Sequence, residues 1–213
     1  MARSFAALMA FFALGIFWTT AATASQSSCS SPLVGNADNR TVSADALDQE
    51  LFNAAVLHYV NIERCKRGLS PLRSDNTLIR ATRQHALHMA SNAYVSHNSK
   101  QAGYRNLQDR LSKARVNYRI AGENVAKSFV FAFDRRNVGA QSACNFRFKS
   151  TGGAVPRHTY DSLAKDLVVL WMESPTHRSN ILHTSFRRAG ATIGVNNDPS
   201  FCGTVYVAQN FAN

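Results

Sequence analysis

Apolar residues recur at helical spacing in two consecutive segments of the first half of the chain. In the first segment they return every three or four positions from Leu47 to Cys65, until a glycine and a proline end the pattern by residue 71. In the second, Asp75 has the character of an N-cap, and the apolar stripe after it stops within residues 92–96. The pattern predicts two helices in succession and places His97 just past the end of the second.

The middle of the chain alternates between weak and strong periodicity. Residues 98–120 are polar and basic, with a short helix predicted at 107–114. Residues 134–158 sustain no periodicity and contain paired glycines and a cysteine, which indicates an exposed loop that a disulfide pins. A third long helix is predicted to start near Asp161 and to end, or break into a turn, at Pro175.

The period changes near the C-terminus. Residues 189–195 and 204–211 are rich in β-branched and aromatic side chains, and the turn-forming sequence NNDPS lies between them. They are predicted to form two antiparallel strands. Helices followed by a late, short meander favour an α+β fold in which helices pack on a small antiparallel sheet.

The N-terminus has the pattern of a cleavable signal peptide over residues 1–24. Arg3 precedes an uncharged apolar run of about 14 residues, which is too short to span a bilayer, and small residues ahead of Ser25 suit signal peptidase. Residues 25–42 are polar and are predicted to be a flexible leader, with one domain over residues 43–213. We therefore expect an exported protein, periplasmic in a Gram-negative cell, with no transmembrane segment in the mature chain.

All four cysteines lie in the predicted mature chain, and an even number in an exported protein indicates two disulfides. No two of them have the close spacing of a zinc site. Three pairings are open. We favour Cys144 with Cys202 and Cys29 with Cys65, because the second bond would tether the N-terminal leader to the first helix.

The formal net charge of +11 falls to +10 when Arg3 is removed with the signal peptide, and no acidic block offsets it. Such a surface attracts acidic polysaccharides, anionic lipid head groups and other anionic extracellular polymers. The basic residues are dispersed and no nucleic-acid-binding signature accompanies them, so nucleic acid is not an expected partner.

Three segments place ionisable or hydrogen-bonding side chains where ordinary elements would end: residues 96–97 (SH), 122–124 (GEN) and 171–182 (WMESPTHRSNIL). Their order, together with NIER at 61–64, GLSPL at 68–72 and YVAQNF at 206–211, resembles the CAP superfamily. That superfamily comprises cysteine-rich secretory proteins, insect-venom antigen five and plant pathogenesis-related proteins. The resemblance covers roughly residues 50–213, and the segment 171–182 is most similar to the bacterial SCP-like branch.

The resemblance implies a three-layer α-β-α sandwich with a central cleft, in which two histidines and two acidic residues hold a divalent metal. By motif position the ligands here are His97, Glu123 and His177. The fourth acid of the eukaryotic members falls at Ser174, and Glu173 lies one residue earlier. Both are expected to line the cleft.

Gln209 is a further candidate for lining the cleft, because a polar side chain there shares a strand face with Val207 and Phe211. Two imidazoles and a carboxylate suit a zinc ion with an open position for water. The alternative is a purely structural network, in which Glu123 bonds backbone amides or His177. The histidines at 58, 85 and 88 lie on helix faces and are expected to be ordinary core or surface residues.

A serine hydrolase is disfavoured although Ser174 and His177 lie three residues apart. The serine precedes a proline at a helix end, where its hydroxyl is expected to cap backbone amides, and the chain has no Gly-x-Ser-x-Gly elbow.

Three functional hypotheses remain. The first is a non-enzymatic secreted binding module whose cleft holds a divalent metal such as zinc and whose apolar grooves take a lipid or sterol, as the family suggests. The second is a metal-dependent hydrolase acting on extracellular peptide or cell-wall polymer. The third is a cationic, defence-like protein that binds acidic polymers. Because the fourth acid and a nucleophile are missing, we expect binding rather than turnover.

Overall fold

The computed structural model describes residues 36–133 and 135–213. In chain order the elements are α1 (Gln49–Cys65), β1 (Arg73–Ser74), α2 (Asn76–Ser91), α3 (Leu107–Lys113), β2 (Ala121–Phe129), β3 (Val138–Ser142), β4 (Asn145–Phe148), α4 (Tyr160–Glu173), α5 (Pro175–Ile181), β5 (Arg188–Asn196) and β6 (Thr204–Ala212). The α+β fold expected from the sequence is confirmed.

A four-stranded sheet in the order β1-β5-β6-β2 forms the middle layer. β6 pairs antiparallel with both β5 and β2, and the short β1 pairs parallel with β5. The predicted strand pair at the C-terminus is therefore confirmed, but the sheet is not confined to the end of the chain. β2 forms one edge, and it was missed as a strand because its glycine and polar residues lack a strand-like alternation.

Helices cover both faces of the sheet. The main core lies between one face and helices α1 and α4, where Phe52, Leu167 and Trp171 pack against Val207 and Phe211. On the other face, α2 and α3 pack through two smaller apolar clusters. This arrangement is the three-layer α-β-α sandwich that the family resemblance implied.

Side-chain caps set the helix starts that the sequence predicted. Asp75 accepts hydrogen bonds from the backbone N–H groups of Thr77 and Leu78, and so begins α2 as expected. Thr159 and Ser162 form a capping box at the start of α4. Pro175 both ends α4 and stands in the first turn of α5, so the predicted turn is a short helix.

The segment 134–158 is not the irregular loop that its sequence indicated. β3 and β4 form an antiparallel hairpin, and Phe146 and Phe148 bury against the main core. The prediction that a disulfide pins this segment is confirmed, since Cys144 is bonded to Cys202. Cys29 lies outside the described residues, so its pairing with Cys65 stays a prediction.

The packed domain extends further toward the N-terminus than residue 43. Ala37 and Val42 are fully buried in the main core, and the Val42 N–H donates to the His158 carbonyl. Thus the last residues of the predicted flexible leader belong to the fold. The predicted signal peptide lies outside the described residues, and within residues 36–133 and 135–213 no helix has the length and apolar content to cross a membrane.

Candidate functional site

Glu123 lies on β2, the edge strand of the sheet, and faces helices α2 and α3. It stands directly opposite Asn210 of β6 in the strand register, and the carboxylate is almost completely buried. The neighbouring residue Asn124 points to the other face, as strand alternation requires. Asn124 donates to the carbonyl of His177 at 3.2 Å, which ties α5 to that face of β2.

A second contact brings α5 close to the open edge of β2. Asn180 donates to the Glu123 carbonyl at 3.1 Å and to the Asn124 side-chain oxygen at 2.9 Å. A Cβ atom at Gly122 would lie 2.7 Å from the Asn180 Oδ1, so a larger residue would displace the Asn180 side chain from these bonds. The sequence GEN therefore combines a close helix approach, a buried acid and an anchor for the His177 helix.

Buried arginine donors occupy most of the Glu123 carboxylate. Arg110 of α3, whose side chain is fully buried, places its Nη2 2.9 Å from Oε1 and 2.7 Å from Oε2. The same nitrogen donates to the His97 carbonyl at 3.0 Å. With its side-chain amide oriented to donate, Asn210 reaches Oε2 at 3.1 Å. The carboxylate is thus both neutralised and saturated with hydrogen bonds.

His97 forms the outer part of the site. Its Nδ1 lies 3.0 Å from Glu123 Oε1, and its side chain is 56% exposed while that of Glu123 is 3% exposed. Because the carboxylate accepts from Nδ1–H, it fixes the tautomer and leaves Nε2 as the nitrogen that carries a lone pair. The imidazole therefore presents an electron-pair donor toward solvent.

His177 of α5 is the second histidine at this edge. Its Nδ1 is buried and has no hydrogen-bond partner in the described part of the chain. Burial lowers the pKa of His177, and the repulsion from a charged His97 lowers it further. His177 is therefore held neutral, the form in which an imidazole binds a metal, and it does not bond Glu123.

His85 of α2 also belongs to the cluster, although its place on a helix face predicted an ordinary core or surface residue. Its Nε2 donates to the Ser96 carbonyl at 2.7 Å and lies 3.9 Å from Glu123 Oε1. Burial lowers its pKa to about 4; the charge of Glu123 opposes this shift and that of Arg110 adds to it. His85 therefore acts as a neutral donor that holds the loop carrying His97.

Arg110 was likewise missed, but a signal was present. In the predicted helix at 107–114 it shares the apolar stripe with Leu107, Leu111 and Ala114, and an arginine on such a stripe requires a buried acid as partner.

The other predicted cleft residues lie apart from this cluster. Glu173 accepts from Arg135 at 2.8 Å at an exposed position on a different groove. Ser174 does not cap backbone amides as expected, because its hydroxyl pairs with that of Thr176 at 3.2 Å. Gln209 is buried opposite Asn124, and its Oε1 has no partner among the described residues.

In the described part of the chain no three His, Cys, Asp or Glu side chains are arranged to hold a metal ion. The donor set fits a metal in part. The imidazoles of His97 and His177 are suitable ligands, whereas Glu123 is engaged by Arg110 and suits the role of a carboxylate that orients His97.

Fold and site together define a class: a three-layer α-β-α domain with histidines gathered on a buried acid at the edge of its sheet. The family model described as "CAP: Cysteine-rich secretory protein family" matches residues 57–211, and the chain belongs to this family.

Two curated proteins of Bacillus subtilis (strain 168) are similar. The uncharacterized protein YkwD is 28% identical over 173 residues, which cover 81% of this chain and 54% of that protein. The uncharacterized membrane protein YlbC is 37% identical over 75 residues, or 35% of this chain and 21% of that protein. The chain thus spans about half of the first relative and about a fifth of the second.

Solved structures with the same fold include the following two. An extracellular SCP-domain protein of Bacillus anthracis str. Ames has a TM-score of 0.51 at 23% identity, covering 79% of this chain and 44% of that one. An outer surface protein of Borrelia burgdorferi has a TM-score of 0.52 at 15% identity, covering 78% of this chain and 96% of that one.

Proposed function

We propose that this chain is a secreted, non-enzymatic binding module of the CAP family whose ligand site is formed by His97 and His177. The observation that carries the proposal is that the Glu123 carboxylate has no free hydrogen-bonding position. Arg110 neutralises its charge, and His97 and Asn210 occupy its remaining lone pairs. A general base needs a free lone pair within reach of the substrate proton, and Glu123 has none to offer. Ser174 and Glu173, the alternative catalytic groups, point to other partners.

The favoured ligand is a divalent metal such as zinc, held through His97 Nε2 and the His177 imidazole. A neutral His177 and the neutral form of His97, whose tautomer Glu123 fixes, supply two nitrogen donors. Glu123 contributes by orienting His97, which revises its expected role as a direct ligand.

Elemental analysis after dialysis against zinc tests this proposal. Wild type is expected to retain one zinc per chain, the His97→Ala, His177→Ala double variant none, and the helix histidine variant His88→Ala as much as wild type. Equal zinc in all three proteins would contradict the site. Hydrolysis of peptide or cell-wall polymer that the double variant loses would contradict the non-enzymatic role.

For lipid or sterol binding, the second part of the expectation, we propose a groove separate from the two histidines. A groove of about 630 Å³ runs between α4 on one side and the end of β2 with the chain that follows it on the other. Phe129, Phe131, Phe133 and Leu170 line it, and Lys127 lies among its polar residues. Its size falls within the range of small-molecule pockets, and its aromatic walls suit a long apolar molecule.

A charge placed in the groove is the test of lipid binding. Leu170 is 39% exposed, so Leu170→Glu should fold and abolish uptake of a fluorescent fatty acid or sterol. Ile120→Glu, at a position that is 42% exposed and outside the groove, should not. Uptake that is the same in both variants would place the lipid elsewhere.

A further inference from the structure

A second cavity lies between α2 and α3, on the face of the sheet opposite to the α4 groove. All the charged side chains that line it are basic. It measures about 330 Å³. On α2, Arg80, Arg83 and Gln84 share one helical face, and on α3 Arg110 and Lys113 lie one turn apart. None of the described residues that line it is Asp or Glu.

Three of these cations have no neutralising partner. Within the described ranges Arg80, Arg83 and Lys113 form no salt bridge; the one hydrogen bond from Arg80 goes to the Ala114 carbonyl at 3.4 Å. Arg110 differs because Glu123 balances it. The pocket therefore gathers three exposed positive charges that no described acid pairs with around a concave surface, and that arrangement favours an anionic occupant.

The uncharged residues that line the pocket indicate what the rest of the occupant is like. The half-buried Tyr104 and the exposed Leu87 form part of the wall, so the pocket offers an aromatic ring and apolar surface beside its cations. Arg110 also lines it, and its buried Nε has no hydrogen-bond acceptor among the described residues. An oxyanion in this pocket supplies acceptors, and a ring-sized neutral part of the same ligand fits against Tyr104.

We propose that this pocket binds the phosphate group of a soluble, sugar-sized phosphorylated ligand. The guanidinium forks of Arg80 and Arg83 match tetrahedral oxyanions, and Lys113 adds a mobile point charge. The remaining cavity volume beside the phosphate takes a hexose-sized group. This proposal does not depend on the metal site, because none of the three unpaired cations belongs to the His97 and His177 cluster.

Calorimetry with inorganic phosphate and with a hexose 6-phosphate, at ionic strength held constant with chloride, tests the pocket. Wild type should bind both saturably, with the hexose phosphate tighter. The Arg83→Gln, Lys113→Gln double variant should bind at least tenfold more weakly. The control Arg73→Gln, Lys149→Gln removes one exposed arginine and one exposed lysine outside the pocket, and should stay within twofold of wild type.

Three results would overturn the proposal. The first is the absence of saturable binding of either probe to wild type. The second is an equal loss in the two double variants, which would make the effect one of net charge. The third is binding to vesicles containing phosphatidylglycerol without binding to either free probe, which would assign the cations to a lipid head group.

Discussion

The Arg110–Glu123 pair holds the candidate site together at the residue scale. Both side chains are buried, so neither charge can recover its hydration if the partner is lost. Removing one member of a buried pair typically costs about 3–5 kcal/mol, because the remaining charge stays unpaired in the interior. We therefore expect Arg110→Leu to lower the free energy of unfolding by about that amount in urea titrations.

An exposed arginine on the same stretch of chain provides the control. Arg105→Leu should change the unfolding free energy by no more than about 0.5 kcal/mol. Similar losses in the two variants would show that Glu123 does not depend on Arg110.

His85 makes the stability of the fold depend on pH. Its ring is fully buried and its pKa is lowered from 6.5 to about 4, so between these values the unfolded chain takes up a proton that the folded chain refuses. Stability should fall as the pH falls through this window, by on the order of 3 kcal/mol from this group. His177, whose pKa is also lowered by burial, acts in the same direction.

Urea unfolding of wild type and His85→Gln at several pH values from 4 to 7 isolates the contribution of His85. Glutamine keeps a donor for the Ser96 carbonyl but does not titrate, so the variant should show a shallower pH dependence. The same slope in both proteins would mean that His85 is not held neutral in the fold.

The three candidate site residues were predictable from the sequence, but their bonding partners were not. The positions of His97, Glu123 and His177 came from their motifs, and the structure brings all three to the edge of β2. Their mutual bonding could not be read from the motifs, because the partner of Glu123 is Arg110, which comes from a separate helix. Long-range pairing of this kind depends on the packing of α3 against the sheet.

At the scale of elements, close contact between α2 and the sheet depends on two glycines of β5. A Cβ atom at Gly190 would lie 2.5 Å from the backbone nitrogen of Ile79, and one at Gly194 would lie 2.6 Å from the Ala86 carbonyl oxygen. These contacts involve helix backbone, which cannot move aside as a side chain can.

Gly190→Ala and Gly194→Ala should therefore each lower stability by about 1–3 kcal/mol, measured as a shift of the urea midpoint. Gly139→Ala is the matched control, since its nearest neighbour would be the flexible end of Lys149 at 3.7 Å. An unchanged midpoint in both β5 variants would show that α2 does not lie this close to the sheet.

Periodicity predicted the long helices α1, α2 and α4 well because each has one buried face and a clear stop signal. It failed for β2, whose residues 122–126 are all buried, because a strand covered on both faces shows no polar alternation. The hairpin of β3 and β4 was missed for a different reason. Its strands contain too few apolar residues to show a strand periodicity. Hydrogen bonding between the two strands, which the sequence does not reveal, defines the hairpin.

At the scale of the whole molecule, the Cys144–Cys202 disulfide joins the β3–β4 hairpin to the turn before β6 across 58 residues. A crosslink over such a loop restricts the unfolded chain, and typical stabilisation is about 2–4 kcal/mol. The free energy of unfolding of the Cys144→Ser, Cys202→Ser double variant should therefore be lower by about 2–4 kcal/mol, seen as a lower urea midpoint. Calorimetric and urea transitions coincident with those of wild type would contradict it.

The sequence also predicted the sandwich architecture and the family, both now established by the structure and the family match. Export, metal binding and lipid binding remain proposals, since none of them is a property of backbone packing. Composition alone could not predict the pocket between α2 and α3, because its four basic residues come together only when α3 packs beside α2.

The central claim is that His97 and His177 form a metal site, and a crystal structure from crystals soaked in a zinc salt tests it most directly. The account predicts zinc on Nε2 of His97 and on the His177 imidazole at about 2.0–2.1 Å, with Glu123 still bonded to Arg110. Zinc coordinated directly by the Glu123 carboxylate, with Arg110 displaced, or no zinc at these histidines, would contradict it.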